Sequence, residues 1–171
     1  LKKYLPSETG LSDFEWAPDS TRLAFTFRGE LYLVAADPTQ GGVIRLTKTK
    51  EGEAEPKFSP DSTRLLFTRA SNLWVLDLTT GQLTQLTTDG TGELLNTGSP
   101  AWSPDGNWIS FVQINRKSVP QRSIPNYAGR EVSVRKQYRT FAKDETPPVR
   151  LGVVPAAGGE VRWLTEAKKE Y

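Results

Sequence analysis

PKFSPDSTRLLFTRASNLWVLDLTTGQLTQLT, residues Pro56 to Thr87, decides the fold, because the same plan occurs once before it and once after it. Phe58-Ser59-Pro60-Asp61-Ser62 matches Trp16-Ala17-Pro18-Asp19-Ser20 upstream and Trp102-Ser103-Pro104-Asp105-Gly106 downstream, at offsets of 42 and 44 residues. A period of that size fits one four-stranded unit of a β-propeller, in which a single sheet cannot bury both faces and must pack against its neighbours.

Each unit can be read strand by strand. After an aromatic residue, Ser-Pro-Asp-Gly/Ser places Pro, with φ already set, at the second position of a type I turn, a hairpin signal. Leu23, Phe25 and Phe27 then alternate with Arg22, Ala24 and Thr26, and Leu65/Phe67 and Ile109/Phe111 repeat that period of two. Leu31 to Val34 and Leu73 to Leu76 are apolar on both faces, as in a strand held between two sheets. Gly41-Gly42, Gly81 and Gly158-Gly159 turn the chain into a last strand that ends at Thr47, Thr87 and Thr165. The predicted fold is therefore all-β, about three blades of a larger propeller: blade 13–47, blade 56–87 and blade 100–165. Lys48 to Glu55 reads as a charged, solvated connector, and Thr88 to Ser99 as a Gly-rich junction.

The third unit breaks the period. Units one and two spend about three residues between their second and third strands, whereas here an arm, 115–148, is inserted before the pattern resumes at Val149. Glu131 to Phe141 alternates within it, which predicts a projecting strand or ribbon. From Asn115 to Arg150, 9 Lys and Arg face 3 Asp and Glu, a net +6, so the chain's overall +2 leaves −4 elsewhere. The basic charge sits on the arm. Three readings stand for it: protein contact through its strand edge and aromatics, a solvated loop, or phosphate contact with Tyr127, Tyr138 and Phe141 stacking on bases. No recognised nucleic-acid motif accompanies the charge, so no nucleic-acid partner is expected.

Composition excludes several chemistries. The 171 residues contain no His, so neither a Ser-His-Asp nor a Cys-His nucleophilic centre can be assembled from them, nor an imidazole metal site. Cys is also absent, which removes thiolate ligands and disulfides. A Ser-Lys arrangement or paired carboxylates stay conceivable, but no nucleophile elbow, Walker loop or dinucleotide-binding glycine pattern supports them, and no catalytic residue, metal or cofactor is expected. Asp19, Asp61 and Asp105 occupy one turn position in successive units, where hydrogen bonds to the turn account for them. Trp16, Trp74, Trp102, Trp108 and Trp163 fall mostly at repeat positions where a core aromatic belongs, so packing is expected of them. No apolar run approaches the 18 or so residues of a membrane span. The chain starts at Leu1 and lacks Met and a signal peptide, as expected of a segment of a longer polypeptide.

The three turns, together with PAWSPDGNWISFVQINRKSVPQRSIPNYAGREVSVRKQYRTFAKDETPPVRLGVV, resemble the N-terminal β-propeller of dipeptidyl peptidase IV-type serine peptidases. The turns alone are shared with TolB-like propellers. The more specific elements are Ser118-Val119-Pro120, Ile124-Pro125 and the stretch from Tyr138 to Pro148 entering Val149, which resemble that family's blade-four arm. The resemblance implies a parent that releases N-terminal dipeptides or related short units from peptide substrates, with its Ser-Asp-His triad downstream and the propeller screening access. It also implies a periplasmic or secreted location and a homo-oligomer formed through the arm, for which the candidate contacts are Val119, Pro120, Ile124, Tyr127, Val132, Val134, Tyr138 and Phe141. In the family, paired glutamates that hold the substrate's free amine lie in an acidic, aromatic segment just before the third Trp-Ser-Pro turn. Here Thr97-Gly98-Ser99-Pro100-Ala101-Trp102 runs directly into that turn, so amine recognition is assigned to no residue, Glu93 included. The alternative reading is a TolB-like scaffold for protein contacts with no associated enzyme.

Three units do not close a ring. Two apolar sheet faces are expected to lie open, inviting self-association, swapped strands or further blades outside this numbering.

Overall fold

The computed structural model describes residues 10–126, 133–141, 144 and 146–165, and among these there is no helix. The first sheet is formed by β1 (Leu11–Trp16), β2 (Arg22–Phe27), β3 (Glu30–Ala35) and β4 (Val43–Arg45), joined in that order by antiparallel pairing. The second repeats it with β5 (Glu53–Phe58), β6 (Arg64–Arg69), β7 (Asn72–Asp77) and β8 (Leu83–Gln85). The third comprises β9 (Leu94–Trp102) and β10 (Trp108–Asn115) and is then interrupted by a two-stranded ribbon of β11 (Gln121–Asn126) and β12 (Ser133–Tyr138). It resumes with β13 (Val149–Pro155) and β14 (Arg162–Trp163). Three four-stranded antiparallel sheets with the ribbon inserted in the third are the architecture of propeller blades.

The hairpins form for local reasons. Arg28-Gly29 and Ala70-Ser71 link second to third strands with φ of 52° and 77°, and of 47° and 63°, the two left-handed residues of a turn whose twist suits a hairpin. The connection is thus two residues long, since Glu30 and Asn72 already belong to strands. In the Pro-Asp turns, the Asp61 carboxylate accepts from the Ser59 hydroxyl (2.5 Å) and from the Thr63 N–H (3.1 Å) and hydroxyl (2.9 Å). Asp19 and Asp105 bond likewise to Thr21 and to Ser103 and Asn107. These bonds, led by the serine hydroxyl, hold the Asp61 and Asp105 carboxyls down at about 2. The three aspartates are turn residues. At the close of each unit the hydroxyls of Thr47, Thr87 and Thr165 accept from the N–H groups of Leu31, Leu73 and Leu151.

The core lies between sheets. Ala24, Leu31 and Leu33 of the first sheet meet Phe58, Leu65 and Phe67 of the second, whose other face puts Leu66, Leu73 and Val75 against Ile109, Phe111 and Val154 of the third. Strand alternation therefore sends both faces of the middle sheet into apolar surroundings. The outer faces remain open: Phe14 and Trp16 on the first sheet, and Val149 on the third, are about half exposed or more. Trp16 departs from the packing expected of it, because no sheet covers its side of the first blade, whereas its counterpart Phe58 is 6% exposed.

Two stretches expected to be connectors contribute strand instead. β5 reaches back to Glu53, whose carboxylate is buried and accepts from Arg69 Nε (2.8 Å) and from the hydroxyls of Thr47 (2.8 Å) and Thr49 (2.5 Å). A charged residue is kept in the interior there by saturating its acceptors. β9 likewise begins at Leu94, and fully buried Asn96 donates to Asp89 (2.7 Å) and accepts from Gln113 (2.6 Å), itself bonded to Arg150 (2.7 Å).

Candidate functional site at the inner strands

The first strand of every sheet carries a bulge at one register. Asp13, Glu55 and Ser99, each three residues before the strand's aromatic, have φ of 44°, 54° and 45°, and pairing with the second strand slips there. Left-handed φ in a residue other than Gly costs on the order of 1–3 kcal/mol and persists only where its surroundings enforce it. Pro56 and Pro100, which can donate no ladder bond, follow two of the three bulges. The carbonyls freed beside the bulge are partly recovered: the Thr26 hydroxyl donates to Ser12 (2.6 Å) and Thr68 to Ala54 (3.2 Å). In the third sheet Val112 stands at the threonine position and Gly98 permits contact, since a Cβ there would lie 2.8 Å from the Val112 carbonyl oxygen.

These bulges bring the three first strands together around a recess of about 520 Å³ lined by Asp13, Phe14, Glu55, Lys57, Ser99 and Ala101, among others. Partial burial and then the neighbouring Asp13 charge push the Glu55 carboxyl above its usual range. Lys57 Nζ lies 3.6 Å from Glu15 on the first sheet, and its carbonyl accepts from Trp102 Nε1 of the third (2.9 Å). The recess wall thus offers the Asp13 and Glu55 carboxylates, the Lys57 ammonium and the Ser99 hydroxyl beside apolar side chains. Among the described residues no group of three or more acidic residues is arranged to hold a metal ion. Sequence reading missed Asp13, Glu55 and Ser99; the signal available was a proline inside a strand pattern, repeated at the unit's period.

The arm divides into a root and a ribbon. Val119 is 7% exposed and its N–H donates to the Arg116 carbonyl (2.9 Å), so it anchors the root within the chain. Pro120 and Ile124 are half-buried. Val134 and Phe141 are 63% and 53% exposed, and half-buried Tyr138 lies beneath the Arg116 guanidinium. Tyr127 and Val132 lie outside the described residues. Pairing runs from Gln121 opposite Tyr138 to Asn126 opposite Ser133. At the ribbon's base, Arg122 binds both Asp144 oxygens (3.0 and 2.7 Å) and stacks 4.3 Å from the Phe141 ring centre. Of the other indoles, Trp102 and Trp163 pack against the core between the second and third sheets, Trp74 packs between the first and second, and Trp108 lies beneath Arg162.

Comparisons with known proteins agree with this architecture. An Aspergillus clavatus protein described as a probable dipeptidyl peptidase 4 is 29% identical over 114 residues, covering 54% of this chain and 14% of its own length. The crystal structure of Porphyromonas gingivalis dipeptidyl peptidase 4 superimposes with a TM-score of 0.74 at 18% identity, over 96% of this chain and 26% of that one. A structure from Agrobacterium tumefaciens described as a putative TolB gives 0.58 at 18% identity, over 88% of this chain and 47% of that one. The chain spans about a quarter or less of the two dipeptidyl peptidases. The family model of the dipeptidyl peptidase IV N-terminal region matches residues 38–170, from the end of the first sheet through the ribbon to the close of the third, and the chain belongs to that family.

Proposed function

We propose that this chain is the propeller portion of a dipeptidyl peptidase IV-type serine peptidase, periplasmic or secreted. In that role it frames the route of peptide substrates to a catalytic triad carried elsewhere and pairs with a second copy through the β11–β12 ribbon. The observation that supports gating is the repeated first-strand bulge, which puts Asp13, Glu55 and Ser99 at one recess at the cost of left-handed backbone. With no His in the sequence, a chain of this kind contributes access and binding rather than cleavage. The ribbon supports the pairing, because Val134 is exposed and a two-stranded ribbon keeps unpaired edges that a partner strand can join.

The test uses the full-length peptidase carrying this chain. Asp13→Arg with Glu55→Gln reverses the charge of the recess wall, and kcat/KM for peptide substrates falls about 10-fold. Labelling of the nucleophile by a small fluorophosphonate stays unchanged. Equal peptide turnover in variant and parent refutes the gating role. The similarity to a TolB structure keeps a second reading, a propeller scaffold without an enzyme; a full-length polypeptide lacking a Gly-x-Ser-x-Gly nucleophile turn and inert to the fluorophosphonate would favour it.

A further inference from the structure

At the root of the arm the third sheet fixes one arginine and leaves its outer nitrogens unused. Arg150 on β13 stands opposite Gln113 on β10, and its Nε donates to the Gln113 side-chain oxygen (2.7 Å). Gln113 is 3% exposed, and its own amide donates to fully buried Asn96 (2.6 Å) and to Asp89 (3.0 Å), so it is held in turn. Arg150 Cζ lies 3.4 Å from the Trp163 ring centre, a cation on an aromatic face. The indole reaches that position because Gly152 has no side chain: a Cβ there would stand 2.9 Å from the ring. Phe111 backs the indole edge-on, with ring centres 5.6 Å apart. A guanidinium gripped at Nε and on its face keeps both Nη groups for another acceptor. Arg22, Arg45, Arg64 and Arg122 each direct an Nη to a carbonyl or a carboxylate. Among the described residues nothing accepts from Arg150 Nη.

Arg150 lines a pocket of about 300 Å³ together with Leu94, Gln113, Asn115, Lys117 and Pro148, and no acidic residue is among them. Lys117 is exposed, and its ammonium has no carboxylate partner among the described residues. Asn115 accepts from the Lys117 N–H through Oδ1 (3.0 Å), which leaves its Nδ2 as a further donor. The carboxylate bound to this network, Asp89, already accepts from Asn96 (2.7 Å) and Gln113 (3.0 Å). The pocket is therefore cationic and rich in donors, with Leu94 and Pro148 as its apolar walls. A planar carboxylate suits it, because a guanidinium can give two parallel N–H bonds to its oxygens while an ammonium adds a point charge. The apolar walls suit methylene groups behind that carboxylate.

We propose that this pocket binds a carboxylate carried on a short aliphatic stem, with Arg150 donating from its Nη groups and Lys117 adding charge. A glutamyl side chain of a peptide carries such a group, and so does a small free dicarboxylic acid. The pocket shares no residue with the recess at the bulges, so this site stands whether or not that recess gates peptides.

The test is titration calorimetry on the full-length polypeptide carrying this chain. The probes are two end-blocked tripeptides, acetyl-Ala-Glu-Ala-amide and acetyl-Ala-Gln-Ala-amide, and glutarate. In the unaltered protein the glutamyl peptide binds about 10-fold more tightly than its glutamine counterpart. Arg150→Lys keeps the charge but loses the paired donors, and it removes most of that preference. Lys117→Gln weakens binding of the glutamyl peptide about 3-fold. Displacement of the peptide by glutarate at equal concentration assigns the site to small free acids, and resistance to it assigns the site to a peptide side chain; both uphold the carboxylate pocket. Equal affinity for the two peptides in the unaltered protein overturns the proposal, and that comparison needs no variant to fold. Failure of both the glutamyl peptide and glutarate to bind at millimolar concentration, or a preference that survives Arg150→Lys combined with Lys117→Gln, overturns it as well.

Discussion

The three-sheet body and the β11–β12 ribbon are built from the same kind of strand, yet only the body is enclosed. Phe67 and Phe111 are 0% and 1% exposed between sheets, whereas Val134 and Phe141 on the arm stand more than half in solvent. Charge follows the same division: the Glu53–Arg69 pair is almost wholly buried and closed by two threonine hydroxyls, while Arg122–Asp144 is about one-third and one-fifth exposed. Stability therefore resides in the junctions between sheets, and the arm leaves Val134 and Phe141 largely to solvent.

Substitutions that pair one region against the other sharpen this contrast. Phe67→Ala empties a filled site between the first two sheets and costs about 3–5 kcal/mol, while Phe141→Ala on the arm stays within about 0.5 kcal/mol, both read from urea unfolding. Glu53→Gln leaves Arg69 charged and unpaired in the interior, a loss of about 3 kcal/mol. Asp144→Asn on the arm loses less than about 1 kcal/mol, since its partner can turn to water. Equal losses at the two ion pairs would show that burial does not set what each pair contributes.

A smaller effect concerns pH. The Asp61 carboxyl sits lower in the folded chain than in the unfolded one, so its contribution is present above the ordinary carboxylate range and is lost as pH falls toward about 2. Asp61→Asn should accordingly lower Tm at pH 7 and converge with the parent near pH 2, followed by thermal melts across that window. Val134→Glu should have the least effect on melting, and yet it should halve the particle mass by light scattering if the ribbon joins two copies; an unchanged dimer mass would remove the ribbon from the interface.

Much of the body was legible because its causes are local and repeated. Leu65 and Phe67 declare a strand by alternation, Pro60-Asp61 declares a turn, and both recur at the unit's period. What escaped depends on partners distant in sequence. Glu53 lies in a stretch that reads as a solvated connector, and nothing in its neighbours reveals Arg69, 16 residues on, as its counter-charge. The bulges at Asp13, Glu55 and Ser99 were hidden because a strand pattern continues through them, with only Pro56 and Pro100 as local hints. Trp16 and Trp102 are indistinguishable as letters in a repeat. One is exposed and the other packed because a neighbouring sheet covers only the second.

The proposed function has this chain shape access and contact without cutting a bond. The most direct test is to incubate the purified 171-residue chain with dipeptide p-nitroanilides alongside the proposed parent peptidase. No release of p-nitroaniline by the chain, with release by the full-length protein, is the predicted result. Turnover that co-purifies with the chain and is abolished by a substitution within it would contradict the claim.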